Sequence, residues 1–585
     1  MIALLAALAC VRPPPPPAPP PTPSLRPGAD TDLVYFVLVD RFANGDPSND
    51  QHIDLADPQA FHGGDLQGVL DHLDYLSDLG VGTVWLSPIF EMRTEPFHGW
   101  GAFHGYWVRD LTRVEPRFGD LALLQQLGQA LDARGMRLVL DMVWNHVGFD
   151  APLRQTHPDW FHPDHPIEDW DDPDQLENHT VHGLPDLAQE NPEVYDHLRD
   201  ASLYWAREAG VDGYRVDAVR HLPSAFLRQI SDELHATLGE DFWLLGEDFQ
   251  GDALSLAESQ RAGGFDAMFD FPLRYAMVDV YCHGRGPGRL ASVLSADRFY
   301  DDPGQLVTFL DNHDLPRVTT ECGGARWRVD QALLFQFLTR GTPAMTWGSE
   351  LYLEGGEEPE NRRDMPWAQA EGPSWVAALQ RLRQEQHPGE GVPWILAVDD
   401  TLFATVRVQS HGASLVAVNT GEAARALPLS PELEAAEPVS WLEAGPEGAR
   451  IGAPPAGALM VPPQTTVGVL YRSDTSTGFH AIASARREAA RQPTEVTLRA
   501  DLALDDGERL VVVGAGPELG NWDPARGVEL HTDEGGAQVG AVSAPMNAVL
   551  AFKLVRVSAD GAVTWQEGED RVHLVQGSDT VALRW

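Results

Sequence analysis

Between Leu33 and Glu350, eight short apolar runs recur, and amphipathic stretches of helical period separate them. They read LVYFVLVDRF, TVWLSPIF, MRLVLDMVWNH, GYRVDAVRH, FWLLGEDF, AMFDFP, LVTFLDNHD and PAMTWGSE. A strand that is apolar at successive positions has to be covered on both faces, which is the condition of a parallel sheet flanked by helices. Eight such strands with helices between them predict an α/β fold, a (β/α)8 TIM barrel over residues 31–370. The third and fourth runs are separated by a His-, Trp- and Asp-rich segment, about 147–187. It is too long for a plain connection and predicts a small inserted domain after strand 3.

Beyond Trp367 the pattern changes to alternating segments such as TLFATVRVQ, ASLVAVNTG and TTVGVLYRS, which predict an antiparallel β-sandwich over 371–472. A polar, Ala-rich linker at 473–493 and a second all-β unit at 494–585 follow. At the other end, MIALLAALAC has an apolar run and a small residue before Cys10, like the end of a lipoprotein signal. Residues 11–30 are then a Pro-rich spacer of extended, semi-rigid character. The expectation is an extracellular or envelope-anchored protein with a lipid anchor at Cys10. The positively charged start of a secretory signal is missing, so a misplaced start codon or an uncleaved stub stays open.

A net charge of −45 repels nucleic acid and anionic membranes and suits a neutral partner. Only Cys10, Cys282 and Cys322 occur, so no disulfide framework is expected; Cys282 and Cys322 could pair, but free buried thiols are the expectation. A monomer is expected.

Four of the predicted strands end in polar clusters. These are Asp141, Asn145 and His146; Arg215, Asp217, Arg220 and His221; Glu247 and Asp248; Asp311, His313 and Asp314. The C-terminal ends of barrel strands converge on one face, so the clusters would meet around one cavity. An isolated Asp is usually a helix cap. Four clusters at four strand ends are too many for independent caps.

LDMVWNH, GYRVDAVRH, GED and FLDNHD, in this order, resemble the signature regions of the α-amylase family of glycoside hydrolases (family 13). LPDLAQEN resembles its short motif in the inserted domain, and GTPAMTWGSE and NRRDMPW its later motifs; the likeness covers Asp32 to Arg472. It implies retaining endo-hydrolysis of α-1,4-glucosidic bonds in starch and related α-glucans. Asp217 would be the nucleophile, Glu247 the acid/base, and Asp314 would hold sugar hydroxyls beside the developing positive charge. Arg215 would keep Asp217 ionised, and Phe242, Trp243 and Phe249 would desolvate Glu247 so that it keeps a proton. Asp141, His104, Tyr106, His146, Arg220, His221 and His313 complete the substrate contacts, with Tyr106 stacking on a ring.

The resemblance also implies Ca2+, an ion that prefers oxygen ligands. Asn145, Asp186 and the carbonyl of His221 match one calcium position. NGDPSND, carrying Asn44, Asp46, Asn49 and Asp50, with Gly63 and Asp65 of HGGDLQG, resembles a second found in cyclodextrin-forming members. The alternative for that loop is an Asx-rich turn needing no metal. Cyclodextrin-forming relatives carry Tyr or Phe just before the LPDLAQEN-type motif, where this chain has His182, and an extra domain where it has a short linker. Arg220 stands where lysine is common. NRRDMPW is similar to maltodextrin and cyclodextrin hydrolases, so those substrates stay open as an alternative, as do cyclodextrin-forming transglycosylation and non-catalytic glucan binding.

The 42 basic residues include one lysine, Lys553, within FKLVRVSADGAVTWQEGEDR. With VVVGAGPELGNWDP, that segment resembles the starch-binding modules of carbohydrate-binding family 20. The likeness implies a glucan site made by Trp522, Trp565 and Lys553, with Asp570 where an asparagine would be expected. Indoles stack on sugar rings and an ammonium donates to hydroxyls.

Overall fold

The computed structural model describes residues 28, 31–370, 374–410, 412–455, 458–472 and 476–585. The signal-like segment, Cys10 and all of the Pro-rich spacer except Gly28 lie outside the described residues. All eight apolar runs contain strands: β1 (Val34–Val37), β2 (Thr83–Leu86), β3 (Arg137–Met142), β4 (Gly213–Val216), β5 (Trp243–Gly246), β6 (Ala267–Met268), β7 (Val307–Thr308) and β8 (Thr342–Thr346). They pair in parallel in the order β6-β5-β4-β3-β2-β1-β8-β7. A parallel bridge between Phe269 and Val307 brings the two edges together and completes the ring. β1 and β2 are buried at every position, as continuous apolar strands must be when helices cover them.

Helices Leu73–Leu79, Leu121–Asp132, Pro192–Ala209, Ser224–Leu238, Ala253–Gly263, Gly288–Ser295 and Arg326–Leu338 surround the barrel. An eighth, Trp375–Gln386, moves the expected boundary at 370: Val376, Leu379 and Leu382 join the barrel core, and Arg383 donates to the carbonyls of Phe337 and Thr339. Side-chain caps mark several starts, among them Asp120 on Leu123 and Asp252 on Ser255. Between β3 and β4 the inserted segment is mostly turns and short helices. The bridge His146–Asp186 ties it back to the end of β3, and Phe161–Leu187 joins two parts of the segment itself.

The next domain is one six-stranded antiparallel sheet with a two-stranded ribbon, Arg425–Ala426 and Met460–Val461, beside it. The expected linker also differs. Ser476–Ala489 is a helix, and its Phe479 and Ala483 enter the core of that sheet domain. A polar, Ala-rich composition concealed an amphipathic helix with few but well-placed apolar residues. The C-terminal unit, from Pro493 on, is all β and docks on the rest of the chain. Glu569 accepts from the Gly286 amide at 3.0 Å, Val549 donates to Ser295 Oγ at 2.8 Å, and Asn547 bonds the backbone of Ile395.

The expectation of free thiols is overturned, because Cys282 and Cys322 form a disulfide with their Cα atoms 4.1 Å apart. Each follows the last residue of a helix, Phe271–Tyr281 or Val318–Glu321, and the two helix ends meet. Sequence spacing could not show that meeting. Closing a loop of 40 residues restricts the unfolded chain by about 4 kcal/mol. Thiol titration in denaturant is expected to find Cys282 and Cys322 unreactive until reductant is added, and reduction to lower the melting temperature.

Candidate active site

Arg215 projects from β4 and is fully buried. Its Nη1 donates to Asp141 Oδ1 at 2.8 Å and to Asp217 Oδ1 at 2.6 Å, and its Nη2 lies 3.6 Å from Glu247 Oε2. One guanidinium thus joins the ends of three neighbouring strands, β3, β4 and β5. Asp141 is held further by Trp85 Nε1 at 3.1 Å and by the Tyr106 hydroxyl at 2.8 Å. A carboxylate with three donors around it is fixed in place and fixes Arg215 in turn.

Asp217 and Glu247 flank this cation, each following the last residue of its strand. The next residue, Ala218, has φ +53°, a left-handed conformation unusual for a side chain larger than glycine's. That turn aims the Ala218 amide at Glu247 Oε2, 3.1 Å away. Burial pushes Glu247 well above the usual carboxylate range, and the charges of Asp217 and Asp314 add to this against the pull of Arg215. A carboxyl raised by burial is suited to give up a proton in acid catalysis.

The source of that desolvation differs from the expectation. Phe242 and Trp243 sit at the start of β5, about 13 Å of strand before Glu247, and pack on Tyr214 and Gly213. Phe249 is 40% exposed and packs on Phe271 at the rim. Glu247 is dry because it lies deep in the barrel mouth.

Asp314 is the most open of the three acids, with 31% of its side chain exposed. Burial opposes its ionisation, but His313, Arg362 and Arg215 outweigh that and hold it below the usual range. Arg362 Nη2 donates to Asp314 at 3.0 Å, while Arg362 Nε and Asn361 Nδ2 each reach the His313 carbonyl at 2.8 Å. NRRDMPW therefore clamps FLDNHD. Asp311 of that run is structural: it accepts from Ser349 and from the Val318 amide.

The Tyr106 and His313 rings are parallel, 5.2 Å apart. His104 accepts from the Tyr106 amide, and His146 Nε2 lies 3.2 Å from the Tyr106 carbonyl. Burial keeps His104, His146 and His313 neutral, His313 down to about 3. His313 Nδ1 is buried without a protein partner, and its Nε2, which makes no hydrogen bond, lies 3.2 Å from Asp314 Oδ2. Neutral imidazoles with free nitrogens can both donate to and accept from hydroxyl groups. Arg220 turns to the rim and donates to the Trp170 carbonyl, and His221 packs edge-on to Trp170. His182 is exposed at φ +51°, near enough for its charge to act on His146 and His221.

Trp85 and Arg362 were not singled out from the sequence. A tryptophan inside an apolar strand needs a partner for its N–H, and an arginine pair before DMPW has no evident partner nearby; these were the available signals.

Two places fit a hard cation in part. Asn145 Oδ1 is fully buried without a partner, beside Asp186, which burial raises to about 6 and whose Oδ2 meets His162 Nδ1 at 2.7 Å. The ring of His221 faces the Leu176 carbonyl at 3.0 Å. In the N-terminal loop, Asn44 bonds both oxygens of Asp50, a Cβ on Gly63 would strike these two side chains, and Asn49 Oδ1 is buried and unpartnered. Asp46 accepts from Ser48, and Asp65 is taken up by the amides of Gly45, Asp46 and Gly68. Among the described residues no group of three or more His, Cys, Asp or Glu could hold a metal, so amide and carbonyl oxygens would have to contribute.

In the C-terminal unit, Trp565 lies opposite Val555, two residues from Lys553 on the same face of the sheet, and is 39% exposed. Lys553 Nζ donates to the Gly568 carbonyl at 2.8 Å and lies 3.8 Å from Asp570. Trp522 sits on a left-handed turn tied to Gly514. The four expected glucan ligands thus belong to one end of the module.

Residues 36–373 match the alpha-amylase catalytic domain family, and 493–584 match the starch-binding domain family. A cyclomaltodextrinase of Bacillus sp is 33% identical over 57% of this chain, which spans 62% of that relative's length. A cyclomaltodextrin glucanotransferase of Klebsiella oxytoca is 26% identical, with 92% of this chain and 91% of that protein covered. The crystal structure of an Anoxybacillus alpha-amylase superposes with a TM-score of 0.68 at 33% identity, covering 76% of this chain and 99% of that one.

Folded Glu247 keeps its proton far above its ordinary value of 4.5. The folded state then binds more protons than the unfolded one above that pH, and stability falls as pH rises. Glu247→Gln removes this effect. Its melting temperature is expected to exceed that of the unsubstituted protein near pH 8, with the gap closing toward pH 4; parallel curves would refute a protonated Glu247.

Proposed function

The chain belongs to the alpha-amylase family of glycosidases, and on that premise we propose that it cleaves α-1,4-glucosidic bonds in maltodextrins and cyclodextrins with retention of configuration. The observation that carries this is the pair Asp217 and Glu247 beside one guanidinium, with burial holding Glu247 above the usual carboxylate range. Asp217 attacks the anomeric carbon while Glu247 gives its proton to the departing glycosidic oxygen, leaving a sugar bonded to Asp217. Glu247, now ionised, takes a proton from water, and the water oxygen displaces Asp217 to release a sugar of the original configuration. Asp314 holds ring hydroxyls near the developing positive charge, and His146 and His313 position neighbouring ones.

The sequence motifs alone point first to plain endo-hydrolysis of starch. The relatives favour the alternative, because they include a cyclomaltodextrinase and a cyclomaltodextrin glucanotransferase. Similarity to the second over nearly the whole chain supports transglycosylation as a second reading. Against it, the exposed His182 stands at the position where cyclodextrin-forming members carry an aromatic ring.

Product analysis over time separates these readings. With γ-cyclodextrin and with soluble starch, short linear maltooligosaccharides and rising reducing ends are expected, about a hundred- to ten-thousandfold slower for Glu247→Gln, since one catalytic group supplies about 10²–10⁴. Cyclic products with few new reducing ends would overturn hydrolysis.

We also propose bound Ca2+ at Asn145 and Asp186, where the ion would brace the inserted segment against β3. The buried, unpartnered Asn145 oxygen supports it. Calcium is expected to raise the melting temperature above that in chelator, by about 2.7 kcal/mol of stabilisation at one hundred times the dissociation constant. Asn145→Leu is expected to lose the response; equal melting temperatures for the parent in calcium and in chelator would refute it.

A further inference from the structure

A cleft of about 1050 Å³ lies between the C-terminal module and the barrel helices Phe271–Tyr281 and Gly288–Ser295. That volume is at the top of the usual ligand-site range of about 300–1,000 Å³. Trp522 and Asp570 line it from the module, and Tyr275, Asp279, Arg289 and Ser292 line it from the barrel. Arg289 Nη2 meets Asp279 Oδ2 at 2.7 Å, and its side chain is 42% exposed. Lys553 and Arg289, one from each side, both act electrostatically on Asp570.

The cleft is held open by defined contacts. Glu569 caps the Gly286 amide, and Val572 packs where a Cβ on Gly288 would sit. Gly251 and Asp252, just after the end of β5, also border it. Tyr275 packs on Phe271, which packs on Phe249 two residues beyond Glu247. One end of the cleft therefore adjoins the rim of the active site, and the other reaches the module.

We propose that this cleft binds an α-glucan oligosaccharide jointly: Trp522 stacks on a sugar ring while Asp570 from the module and Arg289 and Asp279 from the barrel take its hydroxyls. An indole face with flanking charged groups suits a neutral polyhydroxy ligand, whose apolar ring face stacks while its rim hydrogen-bonds. The module site is then not a free-standing anchor; its ligand is completed by the catalytic domain. The proposal rests on the glucan reading.

Adsorption of the full chain to starch granules tests it, in the Glu247→Gln background to prevent turnover. Trp522→Ala and Arg289→Ala are each expected to weaken binding about tenfold, the effect of about 1.4 kcal/mol. The double variant is expected to bind little worse than either single one, because both residues serve one ligand. Ser292→Trp, which fills the cleft without removing a charge, should weaken binding equally, with melting temperatures confirming the fold of each. Unchanged binding for Arg289→Ala and Ser292→Trp beside a weakened Trp522→Ala would confine the site to the module and overturn the proposal. Failure of the parent to adsorb would overturn it together with glucan binding by the module, whereas failure of the hydrolytic reading would appear only in the product analysis.

Discussion

A buried arginine cannot lose its proton, so the structure around Arg215 has to supply negative charge. Asp141 and Asp217 supply it within hydrogen-bond distance, with Glu247 next in line. This one cation fixes the relative position of three strand ends. Asp141 and Asp217 share its Nη1, whereas Glu247 sits further away in a dry place and retains its proton. Burial, more than distance from that cation, holds Glu247 above the usual carboxylate range.

The barrel was legible because its signal is repeated. Eight apolar runs separated by helical stretches leave few alternatives, and the clusters at their ends could be assigned to one face by topology alone. What stayed hidden depends on meetings between distant segments. Cys282 and Cys322 meet only because two helices end at the same place, and Arg362 reaches His313 and Asp314 across 48 or more positions of sequence. The helix Trp375–Gln386 was assigned to the wrong side of a boundary, since the change to β pattern after it was stronger than its own period. Phe242 and Trp243 were placed beside Glu247 by closeness in sequence, which an extended strand turns into distance.

The candidate catalytic acids, histidines and Tyr106 all gather in the barrel mouth, as read from the motifs. The calcium expectation has weaker footing in the fold. Asn145 offers an unused oxygen, but Asp65 spends its oxygens on three backbone amides, and His162 competes for Asp186. Docking of the module changes how its ligands are understood. Trp522 and Asp570 face the barrel across a cleft, so these two residues belong to a surface shared with the catalytic domain.

The central claim is that Asp217 forms the bond to sugar while Glu247 moves protons, and trapping tests it directly. In Glu247→Gln, α-maltosyl fluoride needs no acid to leave, yet hydrolysis of the adduct needs the missing base. Mass spectrometry of the quenched, digested protein should find one maltosyl group on the peptide that carries Asp217. A sugar on Asp314 or Asp141, or rapid turnover of the fluoride with inverted product and no adduct, would contradict the account.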